Sequence, residues 1–387
     1  MAIDKELYER YKKLKAQGVN ITLAELKAQS TAATTVQNAA TPTTATTSAY
    51  EQPQVKYSGN IQQHQTLNQG YMSQFSSSFQ SETIQTEKEE FHGNIKTAQT
   101  PQTQQTTKFG LIGYPLGHSL STYIHSAGFE SLGLDDFSYE LLETSPENLV
   151  DRIKYLKYNG FGGFNVTIPL KLPVTVFLDE IDSTADDVGA VNTVVINSDK
   201  TLKGYNTDIM GFQSAIPKDI ILNGKSAGVL GTGGAARAAI AGLIKLGIKN
   251  IKIFTRNIPN SADLIKYLEN KYTDIEFNAY QIEHIRSLED IDILVNCTPI
   301  GMKGRGADYT PVEEKELCTL PAGAIVYDVI YNPLKTVLIK LAQKHGYRTI
   351  TGLDMLIYQA IEAQKIWTGQ TPDFKDMKIA ALENLIN

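Results

Sequence analysis

Short apolar runs alternate with stretches of helical periodicity along most of the chain. Early in this region, the runs KFGLIG, FSYELL and GGFNVTI predict strands, and residues 121–133 and 146–158 predict helices. Later, SAGVLG, IKIFT, IDILVN and AIVYDV predict buried strands, and residues 235–246, 354–367 and 375–386 predict helices. This alternation predicts two α/β units, each with a mainly parallel sheet covered on both faces, joined near residues 208–225.

The N-terminal part of the chain has a different pattern. Residues 1–29 are charged and helix-prone, with Leu7, Tyr11 and Leu14 on one face. They predict a short helical segment, either a marginal hairpin, which we favour, or a small docking element. Residues 30–107 are rich in Thr, Gln, Ser and Ala and lack apolar periodicity. Such a composition does not bury enough surface to offset its conformational entropy, so we predict a low-complexity, largely disordered linker, whose partner, if it binds one, is unknown.

Composition narrows the classes of function. The 387 residues carry a net charge of −6, without a basic stripe, which argues against a nucleic-acid partner. No apolar run reaches the roughly 18 residues of a membrane-spanning helix, and the charged N-terminus does not resemble a signal peptide. Cys297 and Cys318 lie far from any CxxC motif, and the histidines do not cluster. We therefore expect a cytoplasmic protein without a metal site.

A glycine-rich turn follows the predicted strand SAGVLG. In GVLGTGGAARAAI, Gly231, Gly233 and Ala236 occupy the positions of a G-x-G-x-x-A motif between a strand and a helix. Gly231 permits the tight turn, Gly233 lets the backbone approach a pyrophosphate, and Ala236 allows close packing of helix on strand. The following helix presents its N-terminal N–H groups to the phosphates. The turn thus indicates a dinucleotide cofactor; the alternative is a turn that only packs a helix on a sheet.

The next predicted strand, IKIFT, ends at Thr255, Arg256 and Asn257. An NAD site usually has an acidic residue here, which binds the ribose 2′-hydroxyl. A guanidinium instead pairs with a 2′-phosphate. Arg256 therefore favours NADP over NAD, and the alternative is an exposed surface arginine.

The first α/β unit carries candidate polar ligands in its loops. Ser119 and Ser121 present two hydroxyls that suit a polar ligand, although Ser121 alone would suffice to cap the next helix. Lys171 stands at the predicted start of a helix, where its charge opposes the helix dipole. Asn192 and Asp208 add an amide and a carboxylate, although each residue type is also common in turns.

Taken together, these segments resemble the shikimate dehydrogenase family. The resemblance extends from about Phe109 to the C-terminus and rests on GYPLGHSLS, NVTIPLK, GAVNT, GYNTD, GTGGAARA, VNCTPIGM, YDVIYNP and GLDMLIYQA. It implies an N-terminal α/β substrate domain over 108–208, a C-terminal Rossmann dinucleotide-binding domain over 209–365 and a helical segment over 366–387. In place of the glycine usual in the family after the aspartate, this chain has Ile209.

The resemblance also implies roles for individual residues. Lys171 and Asp208 match the catalytic pair, which also contacts the substrate. The other implied substrate ligands are Ser119 and Ser121 for the carboxylate, Thr167, Asn192 and Gln359 for the ring hydroxyls, and Tyr331. The implied cofactor ligands are Gly231, Thr232, Gly233, Gly234 and Ala235 for the pyrophosphate, Thr255, Arg256 and Asn257 for the 2′-phosphate, and Val329 and Gly352 near the nicotinamide.

The implied activity is the NADPH-dependent reversible reduction of 3-dehydroshikimate to shikimate, by a monomer or homodimer. One alternative is a quinate/shikimate dehydrogenase that uses NAD or both cofactors. A second is another two-domain enzyme, such as a methylenetetrahydrofolate dehydrogenase, which the serine, NVTIP and GYNTD segments disfavour. A third, of a different class, is a non-catalytic ligand-binding regulator on the same fold, against which the intact Lys171 and Asp208 weigh.

Overall fold

The computed structural model describes residues 107–117 and 119–385. The helical segment predicted over 1–29, and all of the linker predicted over 30–107 except Thr107, lie outside the described residues. The described chain forms two six-stranded sheets with helices packed around them.

The first sheet has the strand order β2-β1-β3-β5-β6-β4. Its strands are β1 (Thr107–Gly113), β2 (Phe137–Glu143), β3 (Gly163–Val166), β4 (Glu180–Ile181), β5 (Thr193–Ile196) and β6 (Leu202–Tyr205). Strand β1 is parallel to β2 and β3, whereas β5 is antiparallel to both β3 and β6. Strand β4 is also parallel to β6, so three of the five pairings are parallel, and the mainly parallel sheet that was predicted contains two antiparallel pairings. A tight turn between β5 and β6, in which Lys200 has φ 69°, allows only antiparallel pairing.

Helices of the first domain cover this sheet. They are α1 (Ser121–Ser131), α2 (Leu149–Tyr158), α3 (Ser183–Val188) and α4 (Asp208–Ser214). The helix predicted over 146–158 begins as a 3₁₀ turn, Pro146–Asn148, and a second 3₁₀ turn covers Pro173–Phe177. Lys171 therefore precedes a short 3₁₀ turn and does not open an α-helix as predicted.

The second sheet is parallel throughout and has the order β12-β11-β10-β7-β8-β9. Its strands are β7 (Ser226–Leu230), β8 (Asn250–Thr255), β9 (Glu276–Gln281), β10 (Ile293–Asn296), β11 (Ile325–Asp328) and β12 (Arg348–Thr351). Its helices are α5 (Gly234–Lys245), α6 (Ile258–Lys271), α7 (Glu314–Leu317) and α8 (Val337–Lys344), with a 3₁₀ turn at Ile282–His284. This is the Rossmann order, in which the ligand crevice lies outside the carboxyl ends of β7 and β10.

The last two helices return to the first domain. After β12 the chain forms α9 (Gly352–Thr368) and α10 (Phe374–Leu385). Near the end of α9, the Trp367 ring stacks on Phe109 of β1 with centroids 4.6 Å apart, and its indole N–H donates to the carbonyl oxygen of Val194 at 3.1 Å. Both contacts attach the C-terminal helices to the first sheet.

Helix α4 connects the two domains. It packs against α9, so that a side-chain carbon at Gly211 would lie 2.7 Å from the carbonyl oxygen of Met355. The Phe212 ring stacks on Tyr327 of β11 with centroids 4.7 Å apart. Because Asp208 is the first residue of α4, its carboxylate lies where the two domains meet.

We expect Trp367→Phe to lower the free energy of unfolding by about 1–2 kcal/mol, because the Val194 carbonyl would lose its indole partner inside the fold. Urea unfolding followed by circular dichroism measures the change, since Trp367 is the single tryptophan. Tyr158→Phe, at a ring that is 68% exposed, is the control and should have no effect. Equal unfolding midpoints for Trp367→Phe and the unaltered protein would contradict this assignment.

Candidate active site

A partly buried ion pair forms the centre of the candidate site. The Lys171 ammonium Nζ lies 2.5 Å from Asp208 Oδ2, and the two side chains are 18% and 9% exposed. Lys171 follows the strand β3 and its NVTIP loop, and Asp208 opens α4. The first turn of the helix and the lysine ammonium therefore both lie beside the Asp208 carboxylate.

Asn192 holds the second oxygen of this carboxylate. Its amide Nδ2 donates to Asp208 Oδ1 at 2.8 Å, and its Oδ1 accepts from the backbone N–H of Thr207 at 2.8 Å. The backbone N–H of Asp208 donates to Asn206 Oδ1 at 3.0 Å. The GAVNT and GYNTD segments thus meet in space, as a shared site would require.

The serine pair lies at the start of α1. Ser119 Oγ donates to Ser121 Oγ at 3.1 Å and accepts from the Ser121 backbone N–H at 3.2 Å. Ser121 is the first residue of the helix and Leu120 is its N-cap, so Ser121 does not cap the helix in the way the sequence allowed. Sequence reasoning missed Tyr139, whose phenol donates to Asn165 Oδ1 at 2.7 Å and whose ring stacks on His125 of this helix.

The remaining predicted substrate ligands come from three elements. Thr167 follows β3, and its N–H donates to the Ile112 carbonyl at 2.9 Å. Gln359 of α9 approaches the pair through Thr207, whose hydroxyl lies 3.5 Å from Gln359 Oε1. Tyr331 packs with Leu120 in one apolar cluster, beside the serine pair, and burial raises the pKa of its phenol.

The glycine turn has the geometry that a dinucleotide requires. Gly231 has φ 105°, a conformation that favours glycine, and its N–H donates to the Phe254 carbonyl at 2.7 Å. Gly233 is the N-cap of α5, and a side-chain carbon there would meet open space. The same carbon at Gly234 would lie 3.3 Å from Lys171 Cδ. The lysine of the first domain therefore lies against the turn of the second, which Thr232 and Ala235 complete.

Thr255, Arg256 and Asn257 lie beside this turn, because the Phe254 carbonyl binds Gly231. Thr255 is buried and its hydroxyl accepts from the Asn257 N–H at 3.3 Å, whereas Arg256 is exposed. The open turn, the N–H groups that begin α5 and an exposed guanidinium on the neighbouring strand fit a dinucleotide with a 2′-phosphate.

Val329 and Gly352 meet at the carboxyl ends of β11 and β12. A side-chain carbon at Gly352 would lie 2.0 Å from the Val329 carbonyl oxygen, so only glycine fits there. The Gly352 N–H donates to the Ile330 carbonyl at 3.2 Å.

Asp328, a buried carboxylate that sequence reasoning missed, lies at this edge of the second sheet. Asp328 accepts from the hydroxyl of Thr336 at 2.6 Å, from the backbone N–H of Ile330 at 3.1 Å and from Asn296 Nδ2 at 3.1 Å. Burial raises the pKa of Asp328 to about 6, and these hydrogen bonds counteract the rise only in part. A polar residue within each of two buried apolar strands was the available signal.

The described residues also bear on a metal site, on membrane-spanning helices and on the two cysteines. Within the described residues, no group of three His, Cys, Asp or Glu side chains could hold a metal ion. In that same part of the chain, helices are too short or too polar to cross a membrane. Cys297 and Cys318 are free thiols, and burial raises the pKa of Cys297.

A Rossmann sheet with an open glycine turn, facing a partly buried Lys–Asp pair from a second α/β domain, defines the class of a two-domain, dinucleotide-dependent oxidoreductase. Comparison with known proteins agrees. The shikimate dehydrogenase substrate binding domain matches residues 111–194, and the shikimate 5′-dehydrogenase C-terminal domain matches residues 352–382.

Individual relatives extend the match across both domains. The shikimate dehydrogenase (NADP(+)) of Halothermothrix orenii is 40% identical over 273 residues, which are 69% of this chain and 93% of the relative. A crystal structure of shikimate dehydrogenase in complex with NADP+ is 39% identical, with a TM-score of 0.66 over 72% of this chain and 96% of its own. The shikimate 5-dehydrogenase of Thermus thermophilus, in complex with NADP(H) and shikimate, is 33% identical, with a TM-score of 0.62 over 72% of this chain and 99% of its own. This chain belongs to the shikimate dehydrogenase family, which confirms the resemblance drawn from its motifs.

The raised pKa of Asp328 predicts a pH-dependent stability. Its carboxyl titrates at 3.8 when unfolded and at about 6 when folded, so the folded state binds more protons between these values. The free energy of unfolding should therefore fall as the pH rises through this window, by about 3 kcal/mol relative to Asp328→Asn. Urea unfolding from about pH 3.5 to 7 measures this difference.

Asp199→Asn is the control with the opposite sign. Hydrogen bonds from Thr201 lower the pKa of the exposed Asp199 carboxyl, so its contribution is present above the unfolded pKa and is lost as the pH falls. Parallel pH curves for Asp328→Asn and the unaltered protein would refute the assignment to Asp328.

Proposed function

We propose that this chain catalyses the NADP-dependent, reversible reduction of 3-dehydroshikimate to shikimate, a step of chorismate and aromatic amino-acid biosynthesis. The observation that carries the proposal is the partly buried Lys171–Asp208 pair, whose lysine lies against Gly234 in the dinucleotide turn. This contact matters because the reduction needs a proton donor and a hydride donor at the same carbonyl group. The names of the relatives, which are shikimate dehydrogenases that use NADP(+), support the substrate and the cofactor.

Lys171 acts as the general acid in this proposal. NADPH, when bound, supplies the hydride to the carbonyl carbon. Negative charge then develops on the carbonyl oxygen, and the Lys171 ammonium stabilises it and donates a proton from Nζ. In the reverse direction, the Lys171 amine accepts the proton of the hydroxyl group. Asp208 keeps Nζ in place through the 2.5 Å contact to its Oδ2.

Beside the Lys171–Asp208 pair, neutral groups line the substrate side of the cleft. Ser119 and Ser121 hydrogen-bond the substrate carboxylate through their hydroxyl groups. Thr167, Asn192 and Gln359 contact the ring hydroxyls, and Tyr331 closes the apolar side. A site built to hydrogen-bond hydroxyls rejects analogues that lack them, because its own buried polar groups would stay unpaired.

The cofactor side binds NADP through backbone and guanidinium groups. The N–H groups of residues 231–235 hold the pyrophosphate at the N-terminus of α5. Thr255, Arg256 and Asn257 bind the 2′-phosphate. Val329 and Gly352 form the backbone wall beside the nicotinamide.

We further propose that the enzyme works as a monomer or homodimer in the cytoplasm. The free thiols of Cys297 and Cys318 suit a reducing compartment.

Shikimate-dependent reduction of NADP by the full chain tests the function. We expect kcat/KM to be higher for shikimate than for quinate, and higher with NADP than with NAD. Lys171→Ala should lower kcat by about 10²–10⁴-fold, the usual contribution of a general acid, with KM for NADP nearly unchanged. Lys154→Ala, at an exposed position on α2, controls for loss of a positive charge. Wild-type turnover in the Lys171 variant would refute the catalytic role.

Arg256 should govern the choice between the two nicotinamide cofactors. Losing one charge-assisted contact in Arg256→Ala should raise KM for NADP by about 10- to 100-fold and leave KM for NAD within about twofold. Steady-state kinetics with both cofactors measures the ratio. Arg286→Ala, which removes another exposed arginine, is the matched control. If both cofactors are affected equally, Arg256 does not bind the 2′-phosphate.

A further inference from the structure

A continuous chain of hydrogen bonds runs beneath the candidate site, from the buried phenol of Tyr139 to the Asp208 carboxylate. The Tyr139 hydroxyl donates its single proton to Asn165 Oδ1 at 2.7 Å. A carbonyl oxygen can only accept, so the direction of this first step is fixed.

The chain continues across the sheet with the same polarity. Asn165 Nδ2 donates to Thr193 Oγ1 at 3.0 Å, and Thr193 Oγ1 donates to Asn192 Oδ1 at 2.9 Å. Asn192 Nδ2 then donates to Asp208 Oδ1 at 2.8 Å. Each group accepts from the group before it and donates to the next.

The chain is buried along its length. Tyr139, Asn165, Thr193 and Asn192 are all at most 5% exposed. The Tyr139 ring is stacked on His125, with centroids 4.1 Å apart and the planes 4° from parallel. His125 in turn is held by Gln364 Nε2, which lies 3.2 Å from His125 Nδ1. Burial raises the pKa of Tyr139 and lowers that of His125 to about 3, so both rings are neutral at the start of the chain.

The hydrogen-bond chain fixes the orientation of the Asn192 side-chain amide. An amide can rotate to exchange its oxygen and nitrogen, which have nearly the same shape. Rotated, Asn192 would direct its oxygen at the Asp208 carboxylate and repel it. The Thr193 hydroxyl at 2.9 Å and the Thr207 N–H at 2.8 Å both donate to this oxygen and hold it away from the carboxylate. The Thr193 oxygen itself accepts from Asn165 Nδ2.

We propose that Tyr139, Asn165 and Thr193 are positioning residues, which fix the Asn192 amide so that its N–H groups face Asp208 and the Thr207 hydroxyl. They act through Asn192 and do not touch the reacting atoms. The inference rests on the proposed function, since it assigns a purpose to the geometry of the Lys171–Asp208 pair.

The test compares single-atom deletions in the chain. Tyr139→Phe and Thr193→Val each remove one hydroxyl, and each should lower kcat/KM for shikimate by about tenfold, the value of one hydrogen bond. KM for NADP should stay within about twofold, because the cofactor side is untouched. Thr193→Ser keeps the hydroxyl and should restore activity to within about twofold of wild type. Thr144→Val, which deletes a buried hydroxyl outside the chain, should leave kcat/KM unchanged.

The double variant separates a connected chain from independent local effects. Because both substitutions release the same amide, Tyr139→Phe combined with Thr193→Val should lose about as much activity as either alone. Full additivity would overturn the proposal. So would equal losses in Thr193→Val and Thr193→Ser, or wild-type kcat/KM in Thr193→Val. A wild-type protein without shikimate turnover would instead refute the proposed function itself, and the inference would fall with it.

Discussion

The negative charge of Asp208 is the constraint around which the rest of the site is arranged. A carboxylate that is nearly buried costs several kcal/mol unless charge and hydrogen bonds compensate for it. Here Lys171 takes one oxygen and Asn192 the other, and the carboxylate begins a helix. These partners come from three separate segments of the first domain. Satisfying one charge therefore fixes the relative positions of the loop after β3, the start of β5 and the start of α4.

The same requirement connects the two domains. Helix α4 carries Asp208 at its first residue and packs its other end on α9 and β11 of the second half of the chain. The Lys171 side chain, drawn toward Asp208, passes beside Gly234, where a larger residue would crowd it. The pairing of one lysine with one carboxylate thus also sets the distance between the polar pair and the dinucleotide turn.

The sequence predicts which strands are buried better than it predicts how the strands pair. Strands such as β1, β7, β10 and β11 are continuous apolar runs, because helices cover both of their faces. Strands β5 and β6 were missed, since they are short and their antiparallel pairing depends on one turn. The motifs made Lys171, Asn192 and Asp208 visible as candidates, and the structure brings these three together.

The polar residues that sequence reasoning missed share one property. Asn165 pairs with Thr193 across β3 and β5, and Asn296 pairs with Asp328 across β10 and β11. Each side chain is satisfied by its cross-strand neighbour, and this pairing depends on strand register, which a single sequence does not specify. A lone Asn or Asp inside an apolar strand was the only sign, and its partner could not be named.

The second oxygen of Asp208 is bound by the neutral Asn192 amide and not by a second cation, and this affects the proposed reaction. With Lys171 protonated, the pair carries no net charge. After Lys171 has given up its proton, Asp208 is left as a nearly buried anion supported only by Asn192 and the start of α4. That state is costly, because hydrogen bonds alone compensate a buried charge less well than an opposite charge does. A second cation would take over the pairing of the carboxylate from the lysine. The amide satisfies one oxygen and leaves the charge to Lys171, so a single ion pair both compensates the burial of Asp208 and keeps Nζ at the site.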